Sequence, residues 1–259
     1  MSPILQFSPS GSRPGPAAVQ HTARCSLCSF EQLCVGHGLT EDHALRLAPL
    51  FVQRRRVARD ATLYQENDDF LHLYAVRFGH FKTVQLSQRG GQLIGGFCMA
   101  GDLMGMEAIG SGRHTCSAVA LEDSEVCAIP FVLLQELSLQ IPGLLQCFHR
   151  ALSLEIEREQ AALQLLSRMH ADQRLAVFLI NLADRYAERG YSSTSFQLRM
   201  SREEIGAYLG LTVESVSRQL SRLRQAGIVA LHNRDLRILD RLRLQAMAAG
   251  GVAQQPTAA

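Results

Sequence analysis

The chain has 259 residues, 47% hydrophobic and 19% charged, with a formal net charge of +2. These values leave room for a sizeable core and two domains, and they exclude a highly charged disordered protein. No run of eighteen apolar residues is present, so no transmembrane helix is expected.

Residues 1–24 are rich in Ser, Pro, Gly and Ala and lack the apolar stretch of a signal peptide, so they read as a flexible leader on a cytoplasmic protein. In a reducing cytosol the seven cysteines serve as ligands or core residues, not structural disulfides. Cys25, Cys28 and Cys34 follow in RCSLCSFEQLC, a spacing that gathers three thiols on one short loop. Thiolates so placed suit a soft or borderline metal. A closed site needs a fourth ligand, with Cys98, Cys116, Cys127 and Cys147 available, and zinc and iron-sulfur chemistry remain equally open on spacing.

From about Leu50 to Pro130 short β-favouring runs alternate with glycine turns: LHLYAVRFGHFKTVQL, QLIGGFCMAGDLMGM and HTCSAVALEDSEVCAIP. They predict a small barrel or jelly roll within a unit spanning residues 25–138. Cys127 falls in the last strand, just before Pro130, where a ligand would tie the cysteine loop to the base of the next helix.

That helix, Pro142 to about Met169 within a dimerisation segment of residues 139–170, opens on proline and runs roughly 40 Å without a further break. Leu145, Phe148, Leu152, Ile156, Leu163 and Leu166 recur in steps of three and four, a seam suited to a coiled-coil homodimer. Glu159 interrupts the seam. It either reaches solvent along its own stem or faces its own copy across the dimer, where like charges repel, which makes Ile156 and Glu159 the expected dimer switch.

A helix from Asp172 to Glu188, stopped by Gly190, opens the last unit, residues 171–245, with residues 246–259 expected to form a flexible tail. Ser201 and Glu204 form a capping box, Gly210 makes a turn, and Thr212 caps a second helix that ends at Gly227. This is a helix-turn-helix, and the hairpin around Asn233 to Asp235 adds the wing of a winged helix. Residues 191–259 hold nine arginines against five acids, so an anionic partner is expected, and with the helix-turn-helix that partner is double-stranded DNA. Val213, Glu214, Ser217 and Arg218 share one face at the start of the second helix and are the candidate base contacts: valine to a thymine methyl, glutamate to a cytosine amine, serine adaptable, arginine to guanine. Ser201, Arg202, Thr212, Arg222 and Arg224 are candidates for the DNA backbone. No Ser-His-Asp set, phosphate loop or supported carboxylate pair appears, so no enzymatic activity is expected.

The cysteine trio, AGDLMGMEAIGSG, VCAIPF and LGLTVESVSRQLSRL occur in one order from Cys25 to about Leu239. Together they resemble the CRP/FNR superfamily of bacterial transcription regulators, and most closely its FNR branch. The resemblance implies an α+β fold with a cyclic-nucleotide-binding-like roll, a [4Fe-4S] cluster held by Cys25, Cys28, Cys34 and Cys127, and loss of dimer and DNA binding when oxygen attacks that cluster. It implies TTGAT, four spacer pairs and ATCAA as the site, read by Glu214, Ser217 and Arg218, and RNA polymerase as a partner. Gly90, Gly91 and Gln92 fall in a polymerase-contacting loop, here without the acidic residues the family has there. Cyclic-AMP-binding relatives carry an arginine at the position of Val213 and another before a Ser-Ala pair in the roll. Here Cys116 precedes Ser117 and Ala118, so no cyclic nucleotide is expected. A zinc or thiol redox switch on the same fold is the alternative.

Overall fold

The computed structural model describes residues 46–47, 53–86 and 91–250. The leader and the cysteine loop that follows it, with Cys25, Cys28 and Cys34, lie outside the described residues. Eight strands, β1 (Arg54–Val57), β2 (Thr62–Tyr64), β3 (His72–Phe78), β4 (His80–Leu86), β5 (Gln92–Met99), β6 (Leu103–Met104), β7 (Ser117–Ala120) and β8 (Ser124–Pro130), form the expected jelly roll. They make two antiparallel sheets, in the orders β1-β8-β3-β6 and β2-β7-β4-β5. Alternation along the strands sorts their side chains. Tyr74, Val76, Val126 and Ala128 point into the roll, whereas Leu73, Ala75, Cys127 and Ile129 point out, beneath the helices that follow. Both faces of β3 and β8 are therefore covered, and the two strands read as apolar runs with little visible alternation. The first strand carries the opposite signal, since Arg54, Arg55 and Arg56 are exposed on an edge strand, where charge discourages pairing with other chains.

Two helices pack on the outer side of the β1-β8-β3-β6 sheet. The first, α1 (Phe131–Gln140), occupies sequence assigned above to the roll and the start of the long helix. Ile141 then adopts an extended backbone, and Pro142 begins α2 (Pro142–Arg168), 27 residues long, as expected. A second stripe on α2, unread in the sequence, faces the roll: Leu144, Cys147 and Ala151 are buried, and Glu155 and Arg158 continue it. It lies about 120° round the helix from Leu145, Ile156 and Leu163. Phe148 falls between the two and packs on its own protomer beside Phe131, at a ring separation of 6.3 Å, so it belongs only partly to the expected seam.

The C-terminal unit comprises α3 (Ala171–Glu188), β9 (Ser195–Gln197), α4 (Arg202–Leu209), α5 (Val213–Gln225), β10 (Val229–His232), β11 (Asp235–Ile238) and α6 (Arg241–Ala248). The helix-turn-helix and its hairpin stand where expected. The three-residue β9 completes a small β10-β11-β9 sheet, and α6 continues through the point at which a flexible tail was expected to begin. Ser201 and Glu204 form the reciprocal capping box of α4, and Gly210 ends that helix with φ of 63°. A β-carbon on Gly206 would stand 2.7 Å from the carbonyl oxygen of Leu211, so the close approach of α4 to the turn requires glycine there.

The roll and the C-terminal unit share one apolar core. Phe97 of β5 lies against Phe178 of α3 and Tyr208 of α4, with ring separations of 6.1 and 5.2 Å. Polar groups frame this contact. Lys82, the single lysine of the chain, donates to Glu204 at 2.7 Å and so grips the carboxylate that caps α4. His80 is buried, with Nδ1 2.6 Å from Glu122 and Nε2 2.9 Å from the Tyr186 hydroxyl, while Arg199 pairs with Glu122 at 2.9 Å. Burial lowers the His80 pKa, and the nearby Arg199 and Arg185 guanidiniums add to that, against the opposing pull of Glu122. The ring is thus neutral near pH 7, donating through Nδ1 and accepting through Nε2.

Two outcomes follow from these packing arrangements. Gly206→Ala is expected to destabilise the chain by roughly 1–3 kcal/mol in urea unfolding, because the clash outweighs the helix-propensity gain of about 1 kcal/mol. For His80 the folded pKa lies below the unfolded one, so the stability it confers is present above about pH 6.5 and declines as pH falls below it. Between pH 7.5 and 5.5 the melting temperature of the unaltered protein is expected to drop by roughly 2–4 °C more than that of His80→Asn; equal drops would show that the ring has no such role.

Candidate functional site

The reader surface is built by helix capping. Thr212 accepts from the Ser215 amide at 3.2 Å and starts α5, whose Val216, Gln219, Leu220 and Leu223 are buried against α4 and α3. The opposite face carries Val213, 40% exposed, with Glu214 and Arg218 exposed and Ser217 half-buried, so all four expected base contacts share one solvent-facing patch at the N-terminal end. Glu214 is held below the usual carboxylate range by its own backbone amide, then by the Thr212 hydroxyl and Arg218. It stays ionised and is an acceptor only, which suits a base amine. Arg218 rests on the Ser215 hydroxyl at 3.3 Å, and Arg202 reaches Ser217 at 3.4 Å.

Arg222 and Arg224 are exposed further along α5, and Arg202 is exposed at the start of α4. Ser201 is committed differently: its hydroxyl accepts from the Glu204 amide at 3.1 Å, so its first role is to hold α4 in place. The wing adds Arg234 and Arg237, both exposed and both suited to phosphates. They went unnamed in the sequence reading although NRDLR marks a basic hairpin there.

The candidate dimer surface lies on α2. Ile156 and Leu163 are 54% and 67% exposed, and Glu159 is exposed between them. Large apolar side chains aligned in this way on a helix mark an interaction surface.

Cys127 is 1% exposed on the helix-facing side of β8, in one apolar cluster with Cys147, Leu144 and Leu47. Leu47 brings the chain that follows the cysteine loop to this same corner between the roll and α2. Among the described residues no group of three or more His, Cys, Asp or Glu side chains is arranged to hold a metal ion, and the three other expected ligands fall outside them.

The opposite side of the same strand is filled. Inside the roll Tyr64 stacks on His114 with ring centroids 3.8 Å apart, and Glu107 lies 2.9 Å from His114 Nδ1. The Cys116 thiol donates to Glu107 at 3.7 Å, and burial, reinforced by Glu107, pushes its pKa up to about 12. Cys116 is therefore an inert core thiol.

Comparison with known proteins agrees with this architecture. Residues 54–140 match the cyclic nucleotide-binding domain and residues 173–247 the Crp-like helix-turn-helix domain. The chain is 46% identical over 219 residues to the transcriptional regulatory protein btr of Bordetella pertussis, covering 84% of this chain and 90% of that one. It is 42% identical over 214 residues to the fumarate and nitrate reduction regulatory protein of Escherichia coli, covering 83% and 86%. Among solved structures, FixK2 from Bradyrhizobium japonicum superposes with a TM-score of 0.69 at 28% identity, covering 80% of this chain and 98% of that one. With two domain matches in sequence order and relatives above 40% identity along most of the chain, the protein belongs to the CRP/FNR family and is a DNA-binding transcription regulator, not an enzyme.

Proposed function

We propose that this protein is an oxygen-responsive regulator that dimerises and binds TTGAT-N4-ATCAA-type promoter sites under anaerobic conditions, activating or repressing genes of anaerobic metabolism. The observation that carries the reading is the placement of Cys127, a buried thiol on the helix-facing side of the roll, in contact with the cluster that holds both the start of α2 and the chain arriving from the cysteine loop. A thiolate there suits a [4Fe-4S] cluster held with Cys25, Cys28 and Cys34, since burial disfavours a bare thiolate and a bound metal offsets that cost. Such a cluster supplies an oxygen-labile core whose loss releases its ligands. The names of relatives concerned with fumarate and nitrate reduction support the anaerobic role.

The chain's own part is mechanical. With the cluster bound, Cys127 would tie the cysteine loop to the sheet that supports α2 and so bias how α2 is presented. Glu159 sits between Ile156 and Leu163, where a second copy would bring two carboxylates together. A bias of only about 1–3 kcal/mol changes dimer affinity roughly 5- to 150-fold, so a modest shift of α2 decides the outcome. Once two chains pair, Glu214, Ser217 and Arg218 of each read one half-site, with Arg218 bidentate to guanine.

A cyclic nucleotide has no part in this reading. Cys116 stands where cyclic-AMP-binding relatives have arginine, Glu107 places a carboxylate nearby, and the Tyr64–His114 stack fills the interior. RNA polymerase is the proposed partner of the DNA-bound dimer; the β4–β5 tip exposes Gly91 and Gln92 without the acidic residues of a family contact and is not assigned to it.

Protein purified without oxygen is expected to be coloured and to contain about four iron and four sulfide per chain, and Cys127→Ala is expected to remove the visible absorbance. Zinc without iron, or an unchanged spectrum in the variant, would point to a zinc or thiol switch or to another fourth ligand. Glu159→Ala is expected to sediment as a dimer in air and to shift a duplex carrying the proposed site; a variant as monomeric as the unaltered protein would remove Glu159 from the switch.

A further inference from the structure

Met169 and His170 are all that separates α2 from α3 along the chain, and both have extended backbones. A two-residue hinge of this kind does not by itself fix the angle between the dimer helix and the unit that carries the readers. Asp102 makes a second tie far from the hinge. It lies between β5 and β6, is 4% exposed, and accepts from the Met99 amide at 2.8 Å. Its Oδ1 takes Arg158 of α2 at 3.2 Å and Arg189 of α3 at 2.6 Å, and its Oδ2 takes Arg185 of α3. Arg185 and Arg189 also donate to the carbonyls of Phe97 and Ala100, at the end of β5. One buried carboxylate thus joins the roll, the dimer helix and the first helix of the reader unit.

We propose that Asp102, held by Arg158, Arg185 and Arg189, sets the spacing between the two reader helices of the dimer and so determines how many base pairs the regulator accepts between half-sites. The geometry supplies the reason. Arg158 lies about 15 Å back along α2 from the hinge, and Arg185 and Arg189 roughly 20–27 Å along α3. One base pair is a rise of about 3.4 Å; at a radius of about 20 Å that corresponds to a swing of about 10°. A tie this far from the hinge restricts α3 to a few degrees for each ångström of play. The Phe97 contacts with Phe178 and Tyr208 and the Lys82–Glu204 pair still hold the reader unit on the roll. Loss of the Asp102 tie therefore loosens the angle between α2 and α3 without releasing the unit, and the reader then spreads over neighbouring spacings. Arg158 and Glu159 are adjacent on α2, one turned to the roll and the other to the seam, so the tie is made on the same helical turn that meets the partner.

The inference rests on the palindromic-operator reading above. The test uses the full chain purified without oxygen and duplexes with the two proposed half-sites three, four or five pairs apart, plus a duplex carrying one half-site. The unaltered protein is expected to prefer four pairs by at least about tenfold, a difference of about 1.4 kcal/mol. Arg158→Ala, a substitution at a partly exposed side chain, and Arg189→Ala are expected to narrow that preference to below about threefold while half-site affinity stays within about twofold. Variants that keep the unaltered preference, or that lose half-site and full-site binding alike, overturn the inference. Unaltered protein that binds none of the duplexes overturns instead the operator reading on which it rests.

Discussion

The carboxylate of Asp102 is the constraint through which the parts of this protein hold a common geometry. Burial by itself would push its pKa up, but Arg185, Arg189 and Arg158 outweigh that penalty and hold it below the usual range. The group is therefore charged wherever the protein is folded near neutral pH. Breaking a buried pair on one side leaves an uncompensated charge, which is why such sites are strongly destabilised by removal of a partner even when the intact pair contributes little net stability. Its value here is directional: a hydrophobic contact of equal area would hold the domains together without specifying the angle between α2 and α3.

The long helix serves two surfaces at once, and that explains its composition. Leu144, Cys147, Ala151 and Arg158 face the roll, while Ile156, Glu159 and Leu163 face outward. Along the first stripe the side chains shrink from Leu144 to Ala151 and then give way to the long polar Glu155 and Arg158, as the helix leaves the apolar cluster and reaches Asp102. On the second stripe the apolar residues remain large and exposed, as a face awaiting another chain does. A rotation of α2 about its axis would disturb both stripes together, so in the proposed switch a change at Cys127, under the first, would reach Glu159, on the second, without a separate pathway.

Much of the C-terminal unit was legible in the sequence because its instructions are local. Ser201 with Glu204, Gly210 and Thr212 each fix a helix end within four residues, and the exposed face of α5 follows from its period. The roll was legible through its turns. What escaped were elements defined by distant partners: the arginine-rich β1, which is a strand because it pairs with β8; α1, whose apolar residues lack a strong helical face; and β9, three residues long. The helix face that carries the four candidate base contacts follows from spacing alone, whereas the tie at Asp102 was invisible because its arginines come from 56, 83 and 87 residues away.

The single strand β8 shows how far a period of two can decide function. Val126 and Ala128 enter the roll, where Tyr64, His114 and Cys116 leave a filled interior; Cys127 between them is delivered to the other side, against α2. A register slip of one residue would exchange these faces, putting the thiol inside the roll and two small apolar residues under the helix. Register is held on both edges, by Arg54 opposite Cys127 on β1 and Ala75 opposite it on β3, and by the Glu125 carboxylate, which pairs with Arg77 and Arg56. In the proposed function a cyclic-nucleotide-type roll would work from its outer face: its interior is packed as core, and Cys127, the proposed sensing group, faces the long helix.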